Sequence, residues 1–66
     1  MKAIINGAEK EFESTMTVSA LLVSLGLKQG MTVVELNGEI IARDNFESRN
    51  INHGDKVEIV RFVGGG

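Results

Sequence analysis

Few side chains in this sequence could do chemistry. It contains one histidine and no cysteine, so it offers no thiolate nucleophile, no disulfide framework and no sulfur-ligated zinc site. His53 lies in the run Asn52-His53-Gly54-Asp55 without a catalytic companion and reads as an exposed turn residue, with Asp55 satisfying backbone amides of the same turn. Glu9, Glu11 and Glu13 alternate along one strand and could suggest a cation site. The solvated face of an edge strand accounts for them better, since like charges discourage edge-to-edge pairing, and no metal site is expected. What remains is the end of the chain, Val63-Gly64-Gly65-Gly66. A tail without side chains leaves one reactive group at its tip, the carboxylate of Gly66.

Glycine has no Cβ, so Gly64 and Gly65 could thread a narrow cleft with backbone angles closed to other residues. Four extended residues would carry the carboxylate roughly 13 Å beyond the folded body. A frayed terminus or a linker left by cloning would look the same, and the tail alone does not separate these readings. No helix follows the glycines, so they cannot form a phosphate-cradling loop.

The elements that must position this tail can be read from turn chemistry and periodicity. Lys2 to Asn6 is a short strand with Ala3 and Ile5 on one face and Ile4 on the other. Asn6-Gly7 is the favoured pair for a two-residue hairpin, and Glu9 to Glu13 should pair back on the first strand. Thr17 is a helix N-cap. Val18, Leu21, Leu22 and Leu25 then form one apolar stripe, and Gly26 supplies a left-handed stop. Thr32 to Leu36 is a strand, Asn37-Gly38 repeats the hairpin signal, and Glu39 to Ala42 follows. Arg43 to Asn50 is a polar crossover with an irregular helical turn anchored by Phe46. After the turn at 52–55, Lys56 to Phe62 is the last strand, expected beside the first at the centre of the sheet.

The order β-β-α-β-β-β therefore predicts an α+β fold, a mixed sheet of four to five strands packed on one helix. This is the ubiquitin-like β-grasp. The domain occupies residues 1–62, and 63–66 is a flexible glycine tail. If Val57 and Ile59 face the helix, Val60 and Phe62 face away on the side of Ile4. Ile4, Val60 and Phe62 are thus candidates for a partner-docking patch.

Composition narrows the class of function. At 66 residues with 42% hydrophobic content this is one small domain near the lower limit for folding without disulfides or metal. The formal net charge is −2, with cations spread along the chain, so the electrostatic footprint of a nucleic-acid binder is missing. No apolar run is long enough for a membrane span. The opening Met1-Lys2-Ala3-Ile4-Ile5-Asn6 turns polar too soon for a signal peptide. A cytoplasmic protein, monomeric when free, is the expectation.

Taken in order, several markers resemble one family: the strand ending Asn6-Gly7, the helix Thr17 to Leu22, and Val34-Glu35-Leu36-Asn37-Gly38-Glu39-Ile40-Ile41. Arg43, Gly54-Asp55, Val57-Glu58-Ile59-Val60 and the closing Val63-Gly64-Gly65-Gly66 complete the set. Over its whole length the chain is similar to the sulfur carrier proteins of thiamin biosynthesis, the ThiS family. The resemblance implies a protein co-substrate and not an enzyme, with no bound cofactor. An E1-like adenylyltransferase would consume ATP to adenylate Gly66. A cysteine desulfurase or sulfurtransferase would then supply sulfur for a thiocarboxylate, which thiazole synthase would draw on. Other readings are a carrier of the molybdopterin synthase or RNA-thiolation type, or a TGS-like regulatory domain that shares the Asn-Gly-Glu hairpin.

Overall fold

The computed structural model describes residues 1–62. The glycine tail at 63–66, with Gly64, Gly65 and Gly66, lies outside the described residues.

Strand β1 (Lys2–Ile5) alternates exposed and buried, with Ala3 and Ile5 inward. It turns at Asn6 (φ 50°) and Gly7 (φ 83°), the two positive φ values that a type I′ turn requires. Strand β2 (Ala8–Glu11) returns antiparallel, with Lys2 opposite Glu11 and Ile5 opposite Ala8. It stops two residues short of Glu13 and is exposed along its whole length. Phe12 instead leaves the strand to pack against the core.

Helix α1 (Val18–Ser24) starts at Thr17, whose hydroxyl accepts from the Ala20 amide at 3.0 Å. The two amides before Ala20 are satisfied from elsewhere: Val18 donates to the Arg49 carbonyl and Ser19 to the Phe46 carbonyl, at 2.9 and 2.8 Å. The helix N-terminus is thereby stitched to the crossover at residues 43–51, which satisfies donors that would otherwise be orphaned. At the other end Gly26 adopts φ 73°. Gly26 donates to Val23 and Leu27 to Leu22, the paired bonds of a Schellman stop. Val18, Leu21 and Leu22 are fully buried, but Leu25, expected to extend the stripe, is 38% exposed. The helix ends at Ser24 and Leu25 is its C-cap, so the stripe loses its fourth member where the chain starts to turn.

The crossover and the segment before the helix contribute two strands that local pattern did not reveal. Strand β3 (Met16–Thr17) pairs antiparallel with strand β6 (Asn50–Ile51) in a separate two-stranded sheet. Each is two residues long, too short for an alternation to be visible. Between them the crossover holds a 3₁₀ turn at Arg43–Asn45 followed by Phe46, which is 1% exposed.

Strands β4 (Thr32–Leu36) and β5 (Glu39–Ile41) form the second hairpin, again through an Asn-Gly pair with both φ values positive. Strand β7 (Lys56–Arg61) takes the centre of the five-stranded sheet, whose order is β2-β1-β7-β4-β5. It runs parallel to β1 and antiparallel to β4. This is the β-grasp: one helix over one face of a mixed sheet, with the last strand in the middle. Val57, Ile59, Val34 and Leu36 point inward to meet Leu21 and Leu22 in a single core. Full burial of each leucine contributes about 1.5–3 kcal/mol.

Candidate functional site

Strand β7 leads directly into the glycine tail, so the residues that fix β7 also fix where the tail leaves the body. Its first half is held on both sides. The Ile4 amide donates to Asp55, the Asn6 amide to Val57 and the Asn37 amide to Lys56, at 2.8–2.9 Å. The two turn asparagines add their side chains. Asn6 donates from Nδ2 to the Ile59 carbonyl at 3.2 Å and accepts the Ile59 amide on Oδ1 at 2.6 Å. Asn37 accepts the Lys56 amide on Oδ1 at 2.9 Å and donates from Nδ2 to Asp55 Oδ1 at 3.0 Å. Each asparagine therefore supplies the positive φ of its turn and also binds the backbone of the central strand. The sequence signalled the first role, whereas the second needs the two hairpins to lie on either side of β7.

The last two residues of β7 are held on one side. The register with β1 runs only to Val57, whereas that with β4 continues to Arg61 opposite Thr32. The Phe62 amide then donates to the Met31 carbonyl at 2.9 Å. Around this point lies a hollow of about 350 Å³ lined by Gly26, Leu27, Lys28, Met31, Arg61 and Phe62. It is built where the loop after the helix stop meets the end of β7.

The three docking candidates do not share one surface depression. Ile4, Val60 and Phe62 are 36%, 57% and 49% exposed. Ile4 lines a small hollow with Lys2, Glu9, His53 and Gly54. Val60 lines a second with Asn6, Glu35, Lys56 and Glu58, and Phe62 lines the one at the tail root. Ile4 stands opposite Lys56 and Val60 opposite Val33, four residues apart along β7. Glu58 lies between them and stands directly opposite Glu35. Like charges across a ladder oppose pairing, and Lys56 lines the same hollow as these two carboxylates.

Several other polar groups have structural partners. His53 accepts the Lys2 amide on Nδ1 at 3.0 Å, tying the turn to β1. Asp55 accepts the Asn52 amide at 2.7 Å, the role expected of it. Glu39 binds Arg49 at 2.9 Å. The hydrogen bond from that guanidinium, and then its charge, holds the Glu39 carboxyl below its ordinary value. Glu9 pairs with Lys2 at 3.8 Å. Among the described residues no group of three or more His, Cys, Asp or Glu could hold a metal ion. None of their helices is long and apolar enough to cross a membrane.

Comparison with known proteins gives a consistent result. A family model described as the ThiS family matches residues 3–66. The chain is 47% identical to a thiazole synthase of Paramagnetospirillum magneticum over 66 residues, all of this chain and 20% of that protein. It likewise covers 20% of a thiazole synthase of Magnetococcus marinus, so it spans about a fifth of the length of these relatives. It is 36% identical over 63 residues to the sulfur carrier protein ThiS of Bacillus subtilis, covering 94% of this chain and 96% of that one. The crystal structure of the thiamine biosynthesis protein ThiS from Geobacter metallireducens matches with a TM-score of 0.85 at 35% identity, with both chains covered in full.

Proposed function

The chain belongs to the ThiS family, and from that premise we propose that it is a sulfur carrier of thiamin biosynthesis working through the carboxylate of Gly66. The observation that carries this reading is the likeness to the Bacillus subtilis sulfur carrier over nearly that protein's entire length. The glycines fall within the matched range of residues 3–66.

The chemistry follows from the leaving group. A free carboxylate resists substitution because oxide cannot depart. An E1-like adenylyltransferase would join one carboxylate oxygen of Gly66 to the α-phosphorus of ATP and release pyrophosphate, giving a mixed anhydride. A persulfide derived from cysteine by a desulfurase or sulfurtransferase attacks the Gly66 carbonyl carbon, and AMP leaves with the bonding electron pair. A second thiolate cleaves the resulting S–S bond and leaves a thiocarboxylate, whose charge rests on a soft, nucleophilic sulfur. The carrier supplies no general base and binds no cofactor in this scheme. It is a co-substrate, its ATP is spent on the partner enzyme, and a cytoplasmic monomer suits that exchange among partners. Thiazole synthase is the proposed acceptor, supported by the two proteins of that name that contain a stretch similar to this chain.

Incubation with the activating enzyme, ATP and a sulfur donor is expected to exchange one oxygen for sulfur at Gly66, read by intact mass and fragment spectra. Sulfur found on any internal residue would overturn the reading. Gly65→Val is expected to stop adenylation while leaving the melting curve unchanged, because a β-branched side chain widens the tail and narrows its backbone angles.

A further inference from the structure

Lys28 and Arg61 line the hollow at the tail root, and among the described residues no carboxylate lines it with them. Both cations are exposed, and neither joins the ion pairs formed among the described residues. In a chain of net charge −2 this is a local reversal of sign. The same hollow carries apolar surface from Phe62 and Met31, 49% and 38% exposed. Its position is fixed by the Schellman stop on one side and by the Phe62 to Met31 hydrogen bond on the other, so it is part of the folded body. It stands where the chain leaves toward Gly66, within roughly 13 Å of extended backbone from the reactive end.

We propose that this hollow is the docking site for the activating partner, which inserts an acidic and partly apolar segment there. A carboxylate of that segment would lie between Lys28 and Arg61, and an apolar side chain on Phe62 and Met31. The inference rests on the carrier reading above and adds the chemistry of the contact. Charge complementarity selects the occupant. A basic partner would meet two like charges, and juxtaposed like charges suppress a wrong partner. A purely apolar partner would bury both cations without a counter-charge. Gripping the body at the tail root would also set the direction in which the glycines enter the partner's cleft. Val60 and Ile4, which line other hollows, would then lie outside the primary contact.

The test is ATP–pyrophosphate exchange catalysed by the E1-like adenylyltransferase of the same genome, with the carrier as the varied substrate. The double variant Lys28→Glu/Arg61→Glu is expected to raise the carrier's KM roughly tenfold or more with kcat unchanged. Arg61→Lys, which keeps the charge, should raise KM far less than the double variant. Lys10→Glu, on the far edge strand, should have no effect. Added salt should raise the parent's KM more than that of the double variant. If the double variant keeps the parental KM, or Lys10→Glu raises KM equally, the hollow is not the docking site and the carrier reading stands. A double variant that is adenylated faster would mean that the occupant is the chain's own Gly66 carboxylate folded back on the cations, which also overturns the proposal. A parent protein that supports no exchange at all would remove the carrier reading and this inference together.

Discussion

The two ends of strand β7 are built in opposite ways. At its start the strand is clamped by β1 and β4, and both turn asparagines bind its backbone through their side-chain amides. At its finish only β4 continues, and Val60, Arg61 and Phe62 are exposed. The first arrangement spends polar groups on holding the strand. The second leaves apolar and cationic side chains free beside the tail. The contrast separates what the molecule needs in order to fold from what it can offer a partner, along six residues of one strand.

Stability measurements can break this contrast, beginning where the largest loss is expected. Phe46 is almost wholly buried and its carbonyl caps the helix. Phe46→Ala should cost about 3–5 kcal/mol in a denaturant melt, with no specific loss of partner binding by the folded fraction. Leu22→Ala, in the same core, should cost roughly 2–5 kcal/mol. Losses below 1 kcal/mol for both would mean that the core is not centred on the helix and crossover.

The clamp itself is tested by Asn6→Gly, which preserves the positive φ of the turn but removes both bonds to Ile59. At about 0.5–1.5 kcal/mol for each net hydrogen bond, the loss should be about 1–3 kcal/mol. An unchanged melt would show that Asn6 serves only its turn. At the opposite end Phe62→Ala removes a half-exposed ring, and a loss of about 1 kcal/mol or less is expected, because transfer of its side chain from water is only partial. Binding to the activating enzyme should fall by more than stability does. A melt as damaged as that of Leu22→Ala, with binding intact, would make Phe62 part of the core.

The smallest effect concerns pH. The Glu39 carboxyl is held below its ordinary value of 4.5 by Arg49, so the folded state binds a proton less readily than the unfolded one. The pair's contribution is present above the unfolded carboxyl value and is lost as pH falls through the lowered folded value. Glu39 is exposed and Arg49 partly so, and such surface pairs contribute little. Glu39→Gln should slightly flatten the acid limb of a midpoint-against-pH curve and leave the neutral midpoint almost unmoved. A larger fall at neutral pH would show that the pair anchors the β5 hairpin to the crossover.

Much of the fold could be read from local chemistry. Asn6-Gly7 and Asn37-Gly38 marked both hairpins, because few other pairs tolerate two positive φ values. Thr17, the Val18-Leu21-Leu22 stripe and Gly26 marked the helix from cap to stop. The strands β3 and β6 were not legible, since two residues carry no period and their pairing joins segments more than thirty positions apart. The candidate site was legible in a different measure. The proposed reactive end, Gly66, came from residue type, and the exposure of Phe62 from strand alternation. Lys28 and Met31 gave no signal of their own, because they come from the loop after the helix and meet β7 only through the sheet.

By itself the sequence determined the two hairpins, the helix from cap to stop, the glycine run at 64–66 and the absence of any thiol, since these depend on residue type and near neighbours. The tertiary structure decided that Asn6 and Asn37 clamp the central strand, that Glu35 faces Glu58, and that Lys28 joins Arg61 beside Phe62. Each of these depends on the register between β7 and its two neighbours. Register is set by which alternating face is buried across the whole sheet, and no stretch of sequence carries that information alone.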